Sequence, residues 1–203
     1  MAIARMSVAG DIVLGIDPGL ANTGWGIIAS VRGSRGRASR RGHGAVARAY
    51  GVITTSPDKP LAVRLSAIHD GVIEVIEHYH PDSCALEGVF FGVNAQAALS
   101  LGQARGAAIL ATAAQGLPLG EYPPALIKST IVGEGRADKT QIIYMMRQWL
   151  GLDHDPKPDH CADALAVALT HMVMSTSPLR APDDTEKQRS ESAAVSRAVE
   201  SRP

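Results

Sequence analysis

The run Asp11-Ile-Val-Leu-Gly-Ile-Asp17, broken off at once by Pro18-Gly19, constrains the fold more than any other stretch of this 203-residue chain. Ile12, Val13, Leu14 and Ile16 leave no polar face between them, the pattern of a strand buried on both sides, and Pro-Gly does not continue it. A strand covered on both sides belongs inside a sheet with helices packed on each face. This one ends on a carboxylate, Asp17.

The rest of the chain is read outward from that strand. Gly24 to Ser30 and Ala49 to Thr54 predict two further strands and an antiparallel meander. Leu61, Leu65, Ile68, Val72 and Ile76 recur every three or four residues, which predicts an amphipathic helix over Pro60 to Tyr79. Ser83 to Glu87 is a short strand that again ends on a carboxylate. Ala95 to Gln115 is a helix rich in small residues that needs a partner helix, and a strand follows near Leu117 to Tyr122. Pro123 and Pro124 start a short helical segment that a loop ends at Gly133 to Arg136. Asp138 with Gln141 three residues on is a capping-box pattern opening a helix to about Leu150, and a last helix runs from Asp159 to Met174 with alanines on its sheet side. The expected order is βββαβαβαα, an α/β domain with a mixed sheet. Beyond Ser175 the sequence is polar and poor in large apolar residues, which predicts a disordered tail.

Composition narrows the class. With 45% apolar residues the chain has material for one core, and no apolar run approaches the ~18 residues of a membrane span. Met1 to Gly10 lacks the apolar core of a signal peptide, and two cysteines without CxxC spacing are too few for a disulfide framework or a zinc site, so a cytoplasmic setting is expected. The net charge of zero hides a basic stretch holding Arg32, Arg35, Arg37, Arg40, Arg41, His43 and Arg48, with no acid from Val31 to Arg48. Such a stretch is either a flexible Gly/Arg/Ala/Ser surface loop or a non-specific contact to a phosphate backbone.

Three carboxylates stand out by position: Asp17 and Glu87 at strand ends, and Asp163 as the one charge in Cys-Ala-Asp-Ala-Leu-Ala-Val-Ala-Leu. Burying an unpaired carboxylate is costly, so Asp163 in that row points to a role. His160, three residues earlier, projects from the same helix face. Hard divalent cations are held by carboxylate oxygens, and two such ions ~4 Å apart can stabilise both the attacking and the leaving oxygen of a phosphodiester. Singly, each residue has a plainer explanation as a turn former, a loop cap or a helix-start residue; as a set they point to metal-dependent phosphodiester chemistry.

Four blocks carry a resemblance: Gly15-Ile-Asp-Pro-Gly-Leu-Ala-Asn-Thr-Gly-Trp-Gly26, Ala85-Leu-Glu-Gly-Val-Phe-Phe91, Leu101-Gly-Gln-Ala-Arg-Gly106 and Ala162-Asp-Ala-Leu-Ala166. In this order they resemble the RuvC family of Holliday-junction endonucleases over about Ile12 to Met174, the Leu-Gly-Gln-Ala-Arg-Gly block being the most specific. The resemblance implies an RNase H-like fold, a mixed central sheet whose first three strands are antiparallel and which helices flank on both faces. It divides the chain into an N-terminal extension, residues 1–11, a nuclease domain, 12–174, with a basic insertion at about 33–48, and a tail, 175–203.

It also implies a homodimer, joined through the helix at about Ala95 to Gln115, that nicks opposed strands of a four-way DNA junction and leaves 5′-phosphate and 3′-hydroxyl ends. Asp17, Glu87, Asp163 and His160 match catalytic and metal-holding positions for two Mg²⁺ per subunit, with Mn²⁺ as a substitute; His160 is either a metal ligand or a proton-transfer residue. Lys128, Lys139, Phe90, Phe91, Asn94 and Arg105 fall at expected DNA contacts. Phe90 and Phe91 either stack on an unpaired base or fill the core. The branch-migration proteins RuvA and RuvB are implied partners in recombination and repair. Three other readings stay open on the residues: an actin-like ATPase sharing the Gly-Ile-Asp-Pro-Gly turn, a junction-binding protein that does not cut, and a nuclease acting on RNA·DNA hybrids.

Overall fold

The computed structural model describes residues 11–31, 44–88, 95–133, 135 and 137–176. Five strands, β1 (Ile12–Asp17), β2 (Asn22–Ser30), β3 (Ala45–Thr54), β4 (Ser83–Glu87) and β5 (Leu119–Tyr122), form one sheet in the order β3-β2-β1-β4-β5. β1 to β3 are an antiparallel meander, while β4 pairs parallel to β1 and β5 parallel to β4. The sheet is therefore mixed, with β1 central, as its apolar run requires.

Helices cover both faces. α1 (Leu61–Tyr79) and α2 (Ala95–Ala114) lie on one side, where Leu14, Ile16, Ile27, Cys84 and Leu86 meet Val72, Val75, Ile76, Ala108 and Ala111. On the other, α5 (Asp159–Thr176) packs on Val13, Ile28 and Ala85, and α3 (Pro124–Val132) and α4 (Lys139–Leu150) close over α5 with Ile127, Ile131, Ile142, Met146 and Leu150. Alternate residues of β1 thus feed two separate cores.

Several boundaries depart from the sequence reading, each for a local reason. β3 begins at Ala45 rather than Ala49, because pairing with β2 carries the strand into the basic segment; a register shift at Ile27/Ile28 passes over Arg48, which is exposed in the strand. The remainder of the basic insertion, the N-terminal extension and the expected tail from residue 177 lie outside the described residues. Three helices follow β5, one more than the expected order: the short helical segment expected at Pro124 is a helix in its own right, with Pro at its start and left-handed Gly133 as its C-cap. The capping box forms as expected, Asp138 Oδ1 accepting from the Gln141 N–H at 2.8 Å and Gln141 Oε1 from the Asp138 N–H at 2.9 Å.

α5 runs to Thr176 and is buried nearly all round instead of on its alanine side alone, because α3 and α4 seal its outer face. The small residues of α2 find a partner helix within the chain: Ala104, Ala108 and Ala111 are buried on the side of α1 and the sheet. Leu99 and Leu110 remain exposed on its far side, where Gly102 and Gly106 face open space. Among the described residues no helix is long and apolar enough to cross a membrane.

Candidate active site

The site lies where β1 and β4 end. The two strands run parallel in register up to Ile16↔Leu86, so Asp17 and Glu87, one residue on, stand side by side. Both point toward α5, as the alternation from Gly15 and Ala85 dictates. Beneath the N-terminal half of α5 the sheet carries glycines. Gly15 pairs with Gly26 and Asp17 with Gly24, and a Cβ on Gly15 would stand 2.0 Å from the Ala164 carbonyl oxygen, one on Gly24 2.2 Å from that of His160. No side chain fits there. The helix backbone therefore settles against the strands, and its first two turns deliver His160 and Asp163 to Asp17.

His160 Nδ1 lies 2.8 Å from Asp17 Oδ2. One ligand atom each from Asp17, His160 and Asp163 falls within a 4.8 Å span, a carboxylate and imidazole set suited to a divalent cation. Glu87 is set beside this trio, on a hollow of about 210 Å³ that it shares with Asp17, Pro18, Gly88, Leu101, Arg105 and Pro124. Asp163 differs from the sequence reading. It is neither fully buried nor unpaired: its side chain is 29% exposed and Lys139 Nζ, at the start of α4, sits 3.3 Å away.

Electrostatics follow from crowding acids at the edge of a core. Burial raises the Asp17 carboxyl above its ordinary range and Asp163 raises it further, against the His160 hydrogen bond and the Lys139 charge. Glu87 is pushed up to about 7, first by burial and then by repulsion from Asp17 and Asp163, with Lys128 and Arg105 pulling the other way. Burial opposes the Lys139 ammonium, but Asp163 and Asp159 together outweigh it and hold its pKa above the usual lysine value. A cluster that resists its own negative charge is a cluster that gains from a bound cation.

Of the expected DNA contacts, Lys139 and Lys128 are at the site, the latter half-buried on α3. Phe90, Phe91 and Asn94 lie outside the described residues. Arg105, expected to face DNA, is turned inward: only 7% exposed, it donates to the Glu87 carbonyl and to Glu121 Oε2. Sequence reasoning passed over two sets of residues. Asp159 lies 3.4 Å from Lys139 Nζ, and its spacing of four from Asp163 was the available signal. Gly15, Gly24 and Gly26 were read as parts of a motif, whereas their work is to seat α5.

Comparison with known proteins matches this arrangement. A family model, the crossover junction endodeoxyribonuclease RuvC, covers residues 13–171. The chain belongs to the RuvC family. It is 42% identical over 165 residues to the crossover junction endodeoxyribonuclease RuvC of Desulforamulus reducens, spanning 81% of this chain and 95% of that one. With the RuvC of Shewanella pealeana it shares 47% over 166 residues, 82% and 89% of the two chains. Among solved structures, Thermus thermophilus RuvC in complex with a Holliday junction substrate aligns with a TM-score of 0.73 at 35% identity, over 81% of this chain and 94% of that one. The yeast mitochondrial Holliday junction resolvase Ydc2, at 14% identity and a TM-score of 0.51 over 79% and 77%, shares the fold. The RuvC-family chain has the RNase H-like fold expected of it, and the actin-like reading falls because the RuvC family model matches residues 13–171. Activity in this family depends on divalent metal, and Asp17, His160 and Asp163 form the group suited to hold it.

Proposed function

We propose that this chain is a metal-dependent, structure-specific endonuclease that resolves four-way DNA junctions by symmetric nicking of opposed strands, in homologous recombination and DNA repair. The observation that carries the reading is the convergence of Asp17, His160 and Asp163 within 4.8 Å, with Glu87 on the adjoining strand end.

Asp17, Glu87, Asp163 and His160 are the residues that hold Mg²⁺, two ions per subunit, with Mn²⁺ able to substitute. When bound, the metal supplies an activated water and neutralises charge on the scissile phosphate. Asp17 anchors the site because it accepts from His160 and adjoins both other carboxylates. His160, 38% exposed, keeps a second ring nitrogen that can serve metal or water. Lys139, half-exposed between Asp159 and Asp163, offers an ammonium to a phosphate at the rim, and Lys128 does so beside Glu87. The product ends are 5′-phosphate and 3′-hydroxyl.

The unit of function is a homodimer joined along α2, whose outward Leu99, Gly102, Gly106 and Leu110 form an apolar stripe of low relief. One nuclease domain, 12–174, carries the activity, with residues 1–11 and 175–203 outside it. Phe90, Phe91 and Asn94 contact DNA beyond Glu87, and RuvA and RuvB are partners by family kinship.

The test sets a synthetic mobile four-way junction beside a matched duplex and an RNA·DNA hybrid, with Mg²⁺ or EDTA. Paired nicks are expected in the junction alone and only with metal. Asp17→Asn should lose about 10³-fold or more in nicking, ~4 kcal/mol of barrier, while still binding junction. Nicking by Asp17→Asn at the wild-type rate overturns the site, and cutting of the hybrid in place of the junction overturns the substrate.

A further inference from the structure

Arg105 is a buried charged side chain with no role in the proposed mechanism. It sits mid-way along α2, inside Leu101-Gly-Gln-Ala-Arg-Gly106, and its side chain is only 9% exposed. Guanidinium presents five donors in a rigid fork and does not lose its charge in proteins, so a buried one has to be matched on several sides. Here the fork spans two strands. Nη1 donates to the backbone carbonyl of Glu87, and Nη2 reaches Glu121 Oε2 on β5 at 2.5 Å.

The Glu87 carbonyl needs such a donor. The ladder between β1 and β4 stops at Ile16↔Leu86, and the residue after Asp17 is Pro18, which has no N–H. On the β5 side the Gly88 N–H donates to the Tyr122 carbonyl at 2.7 Å, so β4 is held to β5 there. Glu87 is thus the point at which β1 lets go of β4, and it is at that point that Arg105 takes hold. A phosphate-contacting arginine would have its fork in solvent; this one is turned onto two protein acceptors.

We propose that Arg105 is a positioning residue of the active site: by gripping the Glu87 carbonyl from α2, with Glu121 as its counter-ion, it fixes where the Glu87 carboxylate stands relative to Asp17. The inference rests on the reading of Glu87 as a site carboxylate. It moves Arg105 from the DNA interface to the protein interior, and it ties α2 mechanically to the reacting end of β4.

The full-length chain tests this through Arg105→Met, Arg105→Lys, Glu121→Gln and Glu87→Gln. Four readouts separate the roles: single-turnover nicking at saturating junction, junction Kd in Ca²⁺, Mn²⁺ titration without DNA, and thermal unfolding. Arg105→Met should slow nicking at saturation by about 10–100-fold and weaken Mn²⁺ binding, with junction Kd within about twofold of wild type. Arg105→Lys, which keeps the charge but loses the fork, should recover part of the rate, and Glu121→Gln should fall between it and wild type. Weaker junction binding with a wild-type rate at saturation makes Arg105 a DNA contact and overturns the proposal, as does wild-type behaviour in every assay. If Arg105→Met does not fold, Arg105→Lys and Glu121→Gln decide, and wild-type nicking and Mn²⁺ binding in both overturns it. An inactive Glu87→Gln beside a wild-type-like Arg105→Met defeats the positioning role alone; a fully active Glu87→Gln defeats the site reading beneath it.

Discussion

Replacing Glu87 by glutamine should make the metal-free protein more stable while removing its activity, and the pH dependence of the gain is fixed by the site. In the folded chain the Glu87 carboxyl is held at about 7 against an ordinary 4.5. Between those values the folded state keeps a proton that the unfolded chain has lost, so stability falls as pH rises through this window, and the full penalty is present above pH 7. Taken at face value, with 1.36 kcal/mol per pH unit, the rise is worth about 3 kcal/mol. Glu87 is partly open to solvent, and screening reduces that to about 1–2 kcal/mol. Glutamine has nearly the same shape and never ionises. For a domain of this size Glu87→Gln should then melt about 3–6 °C above wild type at pH 8 in EDTA, and within about 1 °C of it near pH 4.5. Thermal unfolding of both proteins at the two pH values measures this, with pH effects from other residues cancelling in the difference. Saturating Mg²⁺ should shrink the gap at pH 8, since only the wild type offers the third carboxylate of the proposed ligand set. A gap of equal size at pH 4.5 and 8, or a less stable Glu87→Gln at pH 8, refutes the claim that repulsion and burial strain this carboxylate.

Three further outcomes follow from the same geometry. Gly24→Ala places a Cβ 2.2 Å from the His160 carbonyl oxygen and must push back the first turn of α5; about 1–3 kcal/mol of stability and most Mn²⁺ affinity should go with it, read by melting and by metal titration. Lys139→Met breaks contacts of 3.3 and 3.4 Å that are half in solvent, so stability should change by less than ~1 kcal/mol while single-turnover nicking falls about 10²-fold; a rate within twofold of wild type would remove Lys139 from the site. His160→Asp should keep measurable nicking and Mn²⁺ binding, because a hard oxygen replaces the imidazole, whereas His160→Ala should lose Mn²⁺ affinity; equal affinity in the two variants would mean that His160 does not hold metal.

What could be read from the chain, and what could not, divides along a physical line. β1, β4 and α4 were legible because their signals are local: an unbroken apolar run, a short apolar strand ended by a carboxylate, and a capping box that forms as written. The candidate ligands were legible because carboxylates are conspicuous in apolar surroundings. The start of β3 was not, since Ala45 to Arg48 become strand through pairing with β2 and not through any pattern of their own. Nor was the environment of Asp163, because the ammonium that meets it comes from Lys139, which only the packing of α4 on α5 brings near. Arg105 was placed at the DNA by resemblance, and its direction depends on which face of α2 the sheet occupies.

The glycines show how far apart motif and mechanism can lie in such a chain. Gly15, Gly24 and Gly26 make no contact with substrate in any reading of the sequence, and each on its own is an unremarkable strand glycine. Paired across β1 and β2 they clear a strip one helix wide, and only a helix set that low brings Asp163 and His160 to Asp17. The distance between carboxylates is then a property of the sheet as much as of the acids. If so, loss of metal binding in Gly24→Ala with all four candidate ligand residues intact would separate the two contributions, because nothing in the donor set has changed except how closely α5 can approach.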